Sequence, residues 1–414
     1  MTQSELELVG SPHTVRGWIN ASIVLFFLLL VPLMAHAGGL GMAPLVAIIG
    51  GVGWLCAGSF IRAFKPFNIA PHIFVIFGFL AWASLTSLWS PYVTDDLLTN
   101  PVKLCIGVIL FLGSIRAVRA AQLYIPDILA HIFIAINLLA CGFIIFDGLS
   151  NYGLTFLFDP LGDDEDIIEK LASAEMNIGH SVTILILFLS PLIAIMTQRF
   201  KRGWFLALLY IALLFWAAKL LGLAVGMVSV VAILCVLIVS KLNPYWVLKA
   251  ALGFAICSIL FAPLIGVFCG ALPDSFNESL PLSWQHRTAM WEYTSARIWE
   301  APLWGHGFDA VRTFDATMPL GRAKAWPIVS LHPHNAGLHI WVETGFIGVM
   351  LACGAIFMLG RRLILAAIEP QNVAVYSSLI VAVTLISAVT YGVWQDWWWA
   401  CIIFAVALLH LRCT

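Results

Sequence analysis

Two imidazoles and an amide stand at the mouth of an apolar helix in "VSLHPHNAGLHIWVETGFIGVML", residues 329 to 351. Pro333 fixes its own φ and biases His332 toward an extended backbone. Asn335 is a good N-cap for the helix that follows. His334 therefore falls immediately before the helix start, where water meets an apolar run. Free N–H groups at a helix start attract anions, and an imidazole that titrates near neutrality is suited to take a proton from an attacking hydroxyl. A cation would complete the chemistry. Arg287 in the preceding segment is the best candidate, because a guanidinium binds phosphate through paired hydrogen bonds. A base and a cation beside lipid suit a substrate that carries pyrophosphate at a membrane surface.

Plainer readings fit the same residues. Two histidines near a helix end also make an interfacial polar belt. As metal ligands, His332 and His334 supply only two donors, and no third stands at suitable spacing; no cofactor is expected. His339 and Glu343, four apart on one helix, can pair structurally. Lys219 interrupts an apolar run, where it either snorkels to the surface or contacts a phosphate. Arg297, Arg312, Arg322 and Lys324 read first as solvated or lipid-facing, and the acidic run from Asp163 to Asp166 as a solvated loop.

The elements that position these residues follow from composition. Only 10% of the 414 residues are charged and 61% are hydrophobic, against about a quarter charged in an ordinary soluble protein. Apolar runs repeatedly reach the roughly 20 helical residues that cross a bilayer core, and the alternating pattern of an outer-membrane barrel is absent. The chain reads as an all-α polytopic membrane protein with twelve spans, near 18–36, 42–61, 71–89, 102–118, 127–147, 178–197, 203–218, 220–240, 246–269, 336–359, 374–391 and 395–412. Trp18 to Met34 is longer than the apolar part of a signal peptide, and Glu5 and Glu7 dilute a basic start, so the first span is expected to be retained. A net charge of −1 gives no bulk argument for nucleic acid. The cysteines form no CxxC pair and read as apolar packing residues.

Lysine and arginine set the orientation, since cytoplasmic loops keep positive charge. With the N-terminus inside, the inner loops hold Arg62 and Lys65, then Arg116 and Arg119, then Arg199, Lys201 and Arg202, then Lys241 and Lys249, then Arg361 and Arg362. The outer loops hold Asp95 and Asp96 and the acidic stretch from Asp159 to Lys170. Both termini are then cytoplasmic. The domain reading is spans one to nine over 1–269, a long outer loop over 270–335, and three more spans over 336–414. In that loop, "SWQHRTAMWEYTSARIWEAP" reads as an amphipathic helix capped by Ser283 and stopped by Pro302. Its Trp284, Thr288, Trp291, Ser295 and Ile298 face suits the membrane surface.

"HPHNAGLHIWVETGFIG" resembles the H-x-H-N … Q-x-W-x-E-x-G-x-x-G segment of the O-antigen ligase and polymerase superfamily. "HRTAMWEYTSARIWEAPLWGHGFDA" resembles its R … W … A … P-l-l-G-x-G segment. The two stand in the expected order over the C-terminal half. The resemblance implies a metal-independent glycosyltransferase of the polytopic C class, in the bacterial inner membrane with its site facing the periplasm. The donor would be a glycan on undecaprenyl pyrophosphate. The acceptor would be a lipid A-core sugar for a ligase or another glycan for a polymerase. It implies that His334 is the catalytic base, that Arg287 holds the pyrophosphate, and that His332 and Asn335 support the site, with Lys219 and Arg297 as further candidate contacts. Many relatives have Ser-Arg on a middle span where "WAAKLLGLAVG" offers Lys219, and Asn-Arg-Gly where this chain has Asn177, Ile178 and Gly179. A small-anion transporter is the reading from another class, but it would place polar groups near the midplane rather than at one face.

Overall fold

The structure is a computed structural model that describes residues 14–56, 71–94, 100–160, 162, 167–365 and 369–411. Glu5, Glu7, Arg62, Lys65, Asp95, Asp96 and Asp163 to Asp166 lie outside the described residues. In chain order the elements are α1 (Val15–His36), α2 (Met42–Cys56), α3 (Pro71–Thr86), α4 (Asn100–Gln122), α5 (Pro126–Ser150), α6 (Gly153–Phe158), α7 (Ile167–Arg199), α8 (Gly203–Leu220), α9 (Ala224–Val239) and α10 (Pro244–Leu260). They continue with α11 (Ala262–Gly270), α12 (Asp274–Ser279), α13 (Leu282–Ile298), a 3₁₀ turn (Ala310–Thr313), β1 (Thr317–Leu320), β2 (Ala323–Pro327), α14 (Ala336–Leu365), α15 (Pro370–Ser387) and α16 (Asp396–Leu408).

Among the described residues, each of the twelve apolar stretches contains helix. Among the described residues, seven helices are long and apolar enough to cross a membrane. An eighth crossing is formed if α10 and α11 count as one span bent by 59°, and four further apolar helices are shorter. The bend corrects the straight span expected over 246–269. It sits at Phe261, just before Pro263, whose missing N–H and fixed φ suit the start of α11. The expected division near Lys219 is real: α8 ends at Leu220 and Gly222 turns the chain with φ +66°. α7 begins at Ile167 rather than near 178, so the end of the acidic stretch is helical, and Lys170 pairs with Asp159 at 2.7 Å.

The chain forms two compact units, with divisions inside α4, inside α9 and just before α16 among the described residues. In the first, α7 is the central helix. It packs on α1, α5, α8 and α16, and 89% of its most apolar window is buried, against 39% to 44% for the other long apolar helices. Helices at the rim show the reverse: Trp204, Phe205, Leu208, Leu209 and Trp216 of α8 are exposed. Contiguous exposed apolar surface of this kind fits lipid as solvent.

In the second unit α14 is the organising helix, packed by α3, α10 and α13. It is longer than expected and it is not straight. Gly345 takes φ +63° and ψ −169°, a backbone region essentially restricted to glycine. The break frees main-chain groups that hydrocarbon could not satisfy. The segment "PLWGHG" supplies their partners: His306 N–H donates to Val342 O at 2.8 Å, Gly307 N–H to Glu343 O at 3.0 Å, and Phe346 N–H to Pro302 O at 2.8 Å. Trp82 Nε1–H donates to Thr344 O at 2.9 Å. A Cβ on Gly345 would overlap the Leu303 carbonyl. Gly345→Ala is therefore expected to cost about 1–3 kcal/mol from backbone conformation alone, read as a lower unfolding temperature in detergent, with the overlap adding to it.

Candidate functional site

The site belongs to the second unit and is assembled from α13, the segment before α14, and the turn between α15 and α16. Its first support is α13. That helix starts at Leu282 after Pro281, with no side-chain cap, so Ser283 is not the N-cap. It ends at Ile298, before Pro302 is reached. Its Trp291 face is not laid on a membrane surface. Thr288, Trp291, Ser295 and Ile298 are buried and the helix packs on α11 and α14. The expected amphipathic pattern is real, but the apolar face is used for protein packing.

Trp291 ties this helix to the histidines, because its Nε1–H donates to Pro333 O at 3.0 Å. Arg287 lies one turn earlier. Its guanidinium sits 5.4 Å over the Trp284 ring, and Nη1 donates to Ser283 O at 3.4 Å. Nε is buried without an acceptor. Among the described residues no carboxylate pairs with it, and burial pushes its pKa below the ordinary arginine value. A partly desolvated cation with no anion of its own is poised to bind one.

Asn335 caps α14 as expected: its Oδ1 accepts the Leu338 N–H at 2.9 Å. His334 takes φ +48°, an uncommon conformation for a residue with a side chain. Its Nδ1 lies 2.6 Å from Thr390 O. A carbonyl can only accept, so Nδ1 carries the proton and Nε2 keeps the lone pair. Burial pushes the His334 pKa down from 6.5 to about 4, with the charges of Arg287 and His286 adding to this and the Thr390 bond opposing it. The ring is neutral at physiological pH.

His332 is engaged at both nitrogens. Nδ1 accepts the His334 N–H at 3.2 Å, and Nε2 lies 3.3 Å from the Gln395 side-chain amide. Its ring centroid is 4.4 Å from that of His334. Deeper in the unit, His339 Nε2 lies 3.3 Å from Glu343 Oε1, both fully enclosed. Glu343 also accepts the Asp309 N–H at 3.0 Å, the Val311 N–H at 3.2 Å and the Trp394 Nε1–H at 2.5 Å. The expected His339–Glu343 pair thus fastens three chain segments together.

Arg297 is ten residues beyond Arg287, about 15 Å of helix rise, where it pairs with Glu300 at 2.6 Å and stacks on Phe314 at 4.8 Å. Lys219 belongs to the first unit, exposed in the last turn of α8. Arg322 and Lys324 are exposed around the β1–β2 hairpin, and Arg312 pairs with Asp309 at 2.9 Å. Sequence reasoning missed His286, Thr390 and Gln395. His286 Nε2–H donates to Pro327 O and Ile328 O, both at 3.0 Å, which pins the end of β2 to α13. Thr390 acts through its carbonyl, which any residue would supply, so no side-chain signal existed. Gln395 was visible as a polar residue between two apolar spans.

Helices of this length and apolarity define a multi-pass membrane protein, with a polar site where α13 and the start of α14 meet. Residues 205–353 match the family model described as O-Antigen ligase, so the resemblance carried by the two motifs is shown, and the matched stretch contains Arg287, His332, His334 and Asn335. The chain is similar to proteins named "Putative polysaccharide ligase". One from Rickettsia bellii is 28% identical over 198 residues, 47% of each chain. One from Rickettsia felis is 27% identical over 199 residues, also 47% of each chain. A relative from Rickettsia conorii is 27% identical over 130 residues, 30% of this chain and 31% of its own. The chain thus aligns with about half the length, or less, of the curated relatives it matches. No solved structure matches.

Proposed function

We propose that the protein is a lipid-linked polysaccharide ligase of the bacterial inner membrane, acting at the periplasmic face. The donor is a glycan on undecaprenyl pyrophosphate and the acceptor a hydroxyl of a lipid A-core sugar. The ligase names of the relatives favour this reading over a polymerase. The observation that carries it is a partly desolvated guanidinium with no carboxylate partner among the described residues beside a neutral imidazole locked in one tautomer, whose pKa is lowered by burial and by that guanidinium's charge.

In this reading Arg287 grips the pyrophosphate, and His334 Nε2 takes the proton of the acceptor hydroxyl as its oxygen attacks the anomeric carbon. The bond from that carbon to the phosphate oxygen breaks, and undecaprenyl pyrophosphate leaves with its charge held by Arg287. One direct displacement inverts the anomeric configuration. His332 holds the His334 backbone and Asn335 holds the start of α14. Twelve crossings with both termini cytoplasmic would place the start of α14 outside and Arg361 and Arg362 inside, consistent with positive charge remaining in the cytoplasm. Deletion of the gene tests the proposal: lipopolysaccharide core without polymer, with lipid-linked polymer accumulating, is the expected gel pattern. Core bearing one repeat identifies a polymerase, and unchanged lipopolysaccharide rejects both.

The pH dependence follows from His334. Its protonated form is disfavoured in the folded protein, so the unfolded chain takes up a proton near pH 6.5 and the folded chain only near 4. The stability this residue contributes is complete above 6.5 and declines as pH falls through that window. For catalysis, kcat/KM should stay level from neutrality down and fall only as pH approaches about 4. Bound pyrophosphate offsets the Arg287 charge, so the pKa seen in kcat should lie above the one seen in kcat/KM. A kcat/KM limb near 6.5 would contradict this.

A further inference from the structure

The turn between α15 and α16, "TYGVWQ" from Thr390 to Gln395, meets all three histidines that surround the start of α14, and it does so through different groups. Thr390 O accepts from His334 Nδ1 at 2.6 Å. Val393 N–H donates to His339 Nδ1 at 3.2 Å. The Gln395 amide lies 3.3 Å from His332 Nε2. Trp394 Nε1–H donates to Glu343 at 2.5 Å, the carboxylate that faces His339.

These contacts dictate proton positions. A carbonyl accepts, so His334 carries its proton on Nδ1. An N–H donates, so His339 has its lone pair on Nδ1 and presents Nε2–H to Glu343. His332 Nδ1 accepts the His334 N–H, which leaves its proton on Nε2, toward Gln395. The Gln395 Oε1 is buried without a donor in its present orientation. Turning the amide by half a revolution gives that oxygen the His332 Nε2–H and satisfies both groups. Backbone proximity adds to this, because a Cβ on Gly392 would stand 2.8 Å from His332 Cγ, closer than real side chains approach. Only glycine lets the His332 ring come this close to the turn.

We infer that the Thr390–Gln395 turn is the positioning element of the site. It sets the tautomers of His332, His334 and His339 and, through Gln395 and His332, holds His334 in its left-handed conformation with Nε2 available. Gln395 and Gly392 are thus positioning residues that act through His332, and neither is required to touch substrate. The inference rests on the reading of His334 as the base only where it predicts rates; the tautomers stand apart from it.

Full-length protein in nanodiscs, with ¹⁵N-labelled histidine and His334 assigned by comparison with His334→Gln, gives both readouts. In the wild type His334 should show a protonated Nδ1 and an unprotonated Nε2. Gln395→Leu should mix the His332 and His334 tautomers and lower kcat about 10- to 100-fold, as loss of an orienting partner does, with KM unchanged within about twofold. Gly392→Ala should act in the same direction. Gln395→Glu keeps an acceptor toward His332 Nε2–H and should restore most of kcat while adding an ionisation to the pH profile. Gln395→Leu with unaltered imidazole signals and unaltered kcat would overturn the inference. So would equal losses in the Leu and Glu variants that simply track the unfolding temperature. If the signals respond as expected in protein that transfers no glycan, the turn keeps its role and the transferase reading fails.

Discussion

His334→Ala should lower glycan transfer by about 10²- to 10⁴-fold, the range general-base catalysis contributes, without lowering the amount of inserted protein. Folding should survive because His334 is only part-buried and makes one main-chain and one side-chain hydrogen bond, while the packing of α14 rests on Leu338, Trp341, Val342 and Val349. Donor binding should be nearly unchanged, since the group that grips phosphate is on another helix. His334→Gln should be as inactive as alanine: glutamine can still donate to Thr390 O, but its amide cannot accept a proton at neutral pH. Phage sensitivity, a lipopolysaccharide gel or transfer by purified protein reads the outcome.

Arg287→Ala should act on the other half of the reaction. The guanidinium is held by Trp284 and the Ser283 carbonyl rather than by an acidic partner, so removing it leaves no buried carboxylate unpaired. Little stability should be lost. Donor affinity and transfer should fall together, by about 10²- to 10³-fold, the scale of losing one fixed charge stabiliser of a developing anion. Arg287→Lys should recover part of this, because an ammonium binds phosphate as a point charge without the two-pronged geometry. Arg287→Ala should also raise the His334 pKa toward its ordinary value by removing a nearby positive charge, whereas Arg287→Lys, which keeps the charge, should not. Titrating the His334 ring by NMR in Arg287→Ala checks that link separately from activity.

Residue chemistry made part of this site legible and hid the rest for identifiable reasons. Asn335 announced the start of α14 because a capping amide followed by an apolar run has few other uses, and its bond to Leu338 N–H is present. His339 and Glu343 were visible from helical spacing alone. The break at Gly345 was not, since a glycine inside an apolar run costs only about 1 kcal/mol relative to alanine and gives no sign of whether it bends. What decides the bend is "PLWGHG", about forty residues earlier in the chain, whose backbone satisfies the opened helix. The tryptophans of α13 misdirected the reading toward lipid for a related reason. An amphipathic face records that something apolar will cover it, and α11 and α14 serve as well as a membrane. The Thr390–Gln395 turn was hidden most completely, because two of its contacts to the histidines are made by main-chain atoms.

The division of labour between α13 and the start of α14 is tested most directly by measuring donor binding and single-turnover transfer side by side. Purified wild-type, His334→Ala and Arg287→Ala protein would be given the same undecaprenyl-pyrophosphate-linked glycan. A crossed pattern is expected: the histidine variant binds donor as wild type does and fails to turn it over, while the arginine variant loses binding. Transfer by His334→Ala at the wild-type rate, or donor binding by Arg287→Ala at wild-type affinity, would contradict the account.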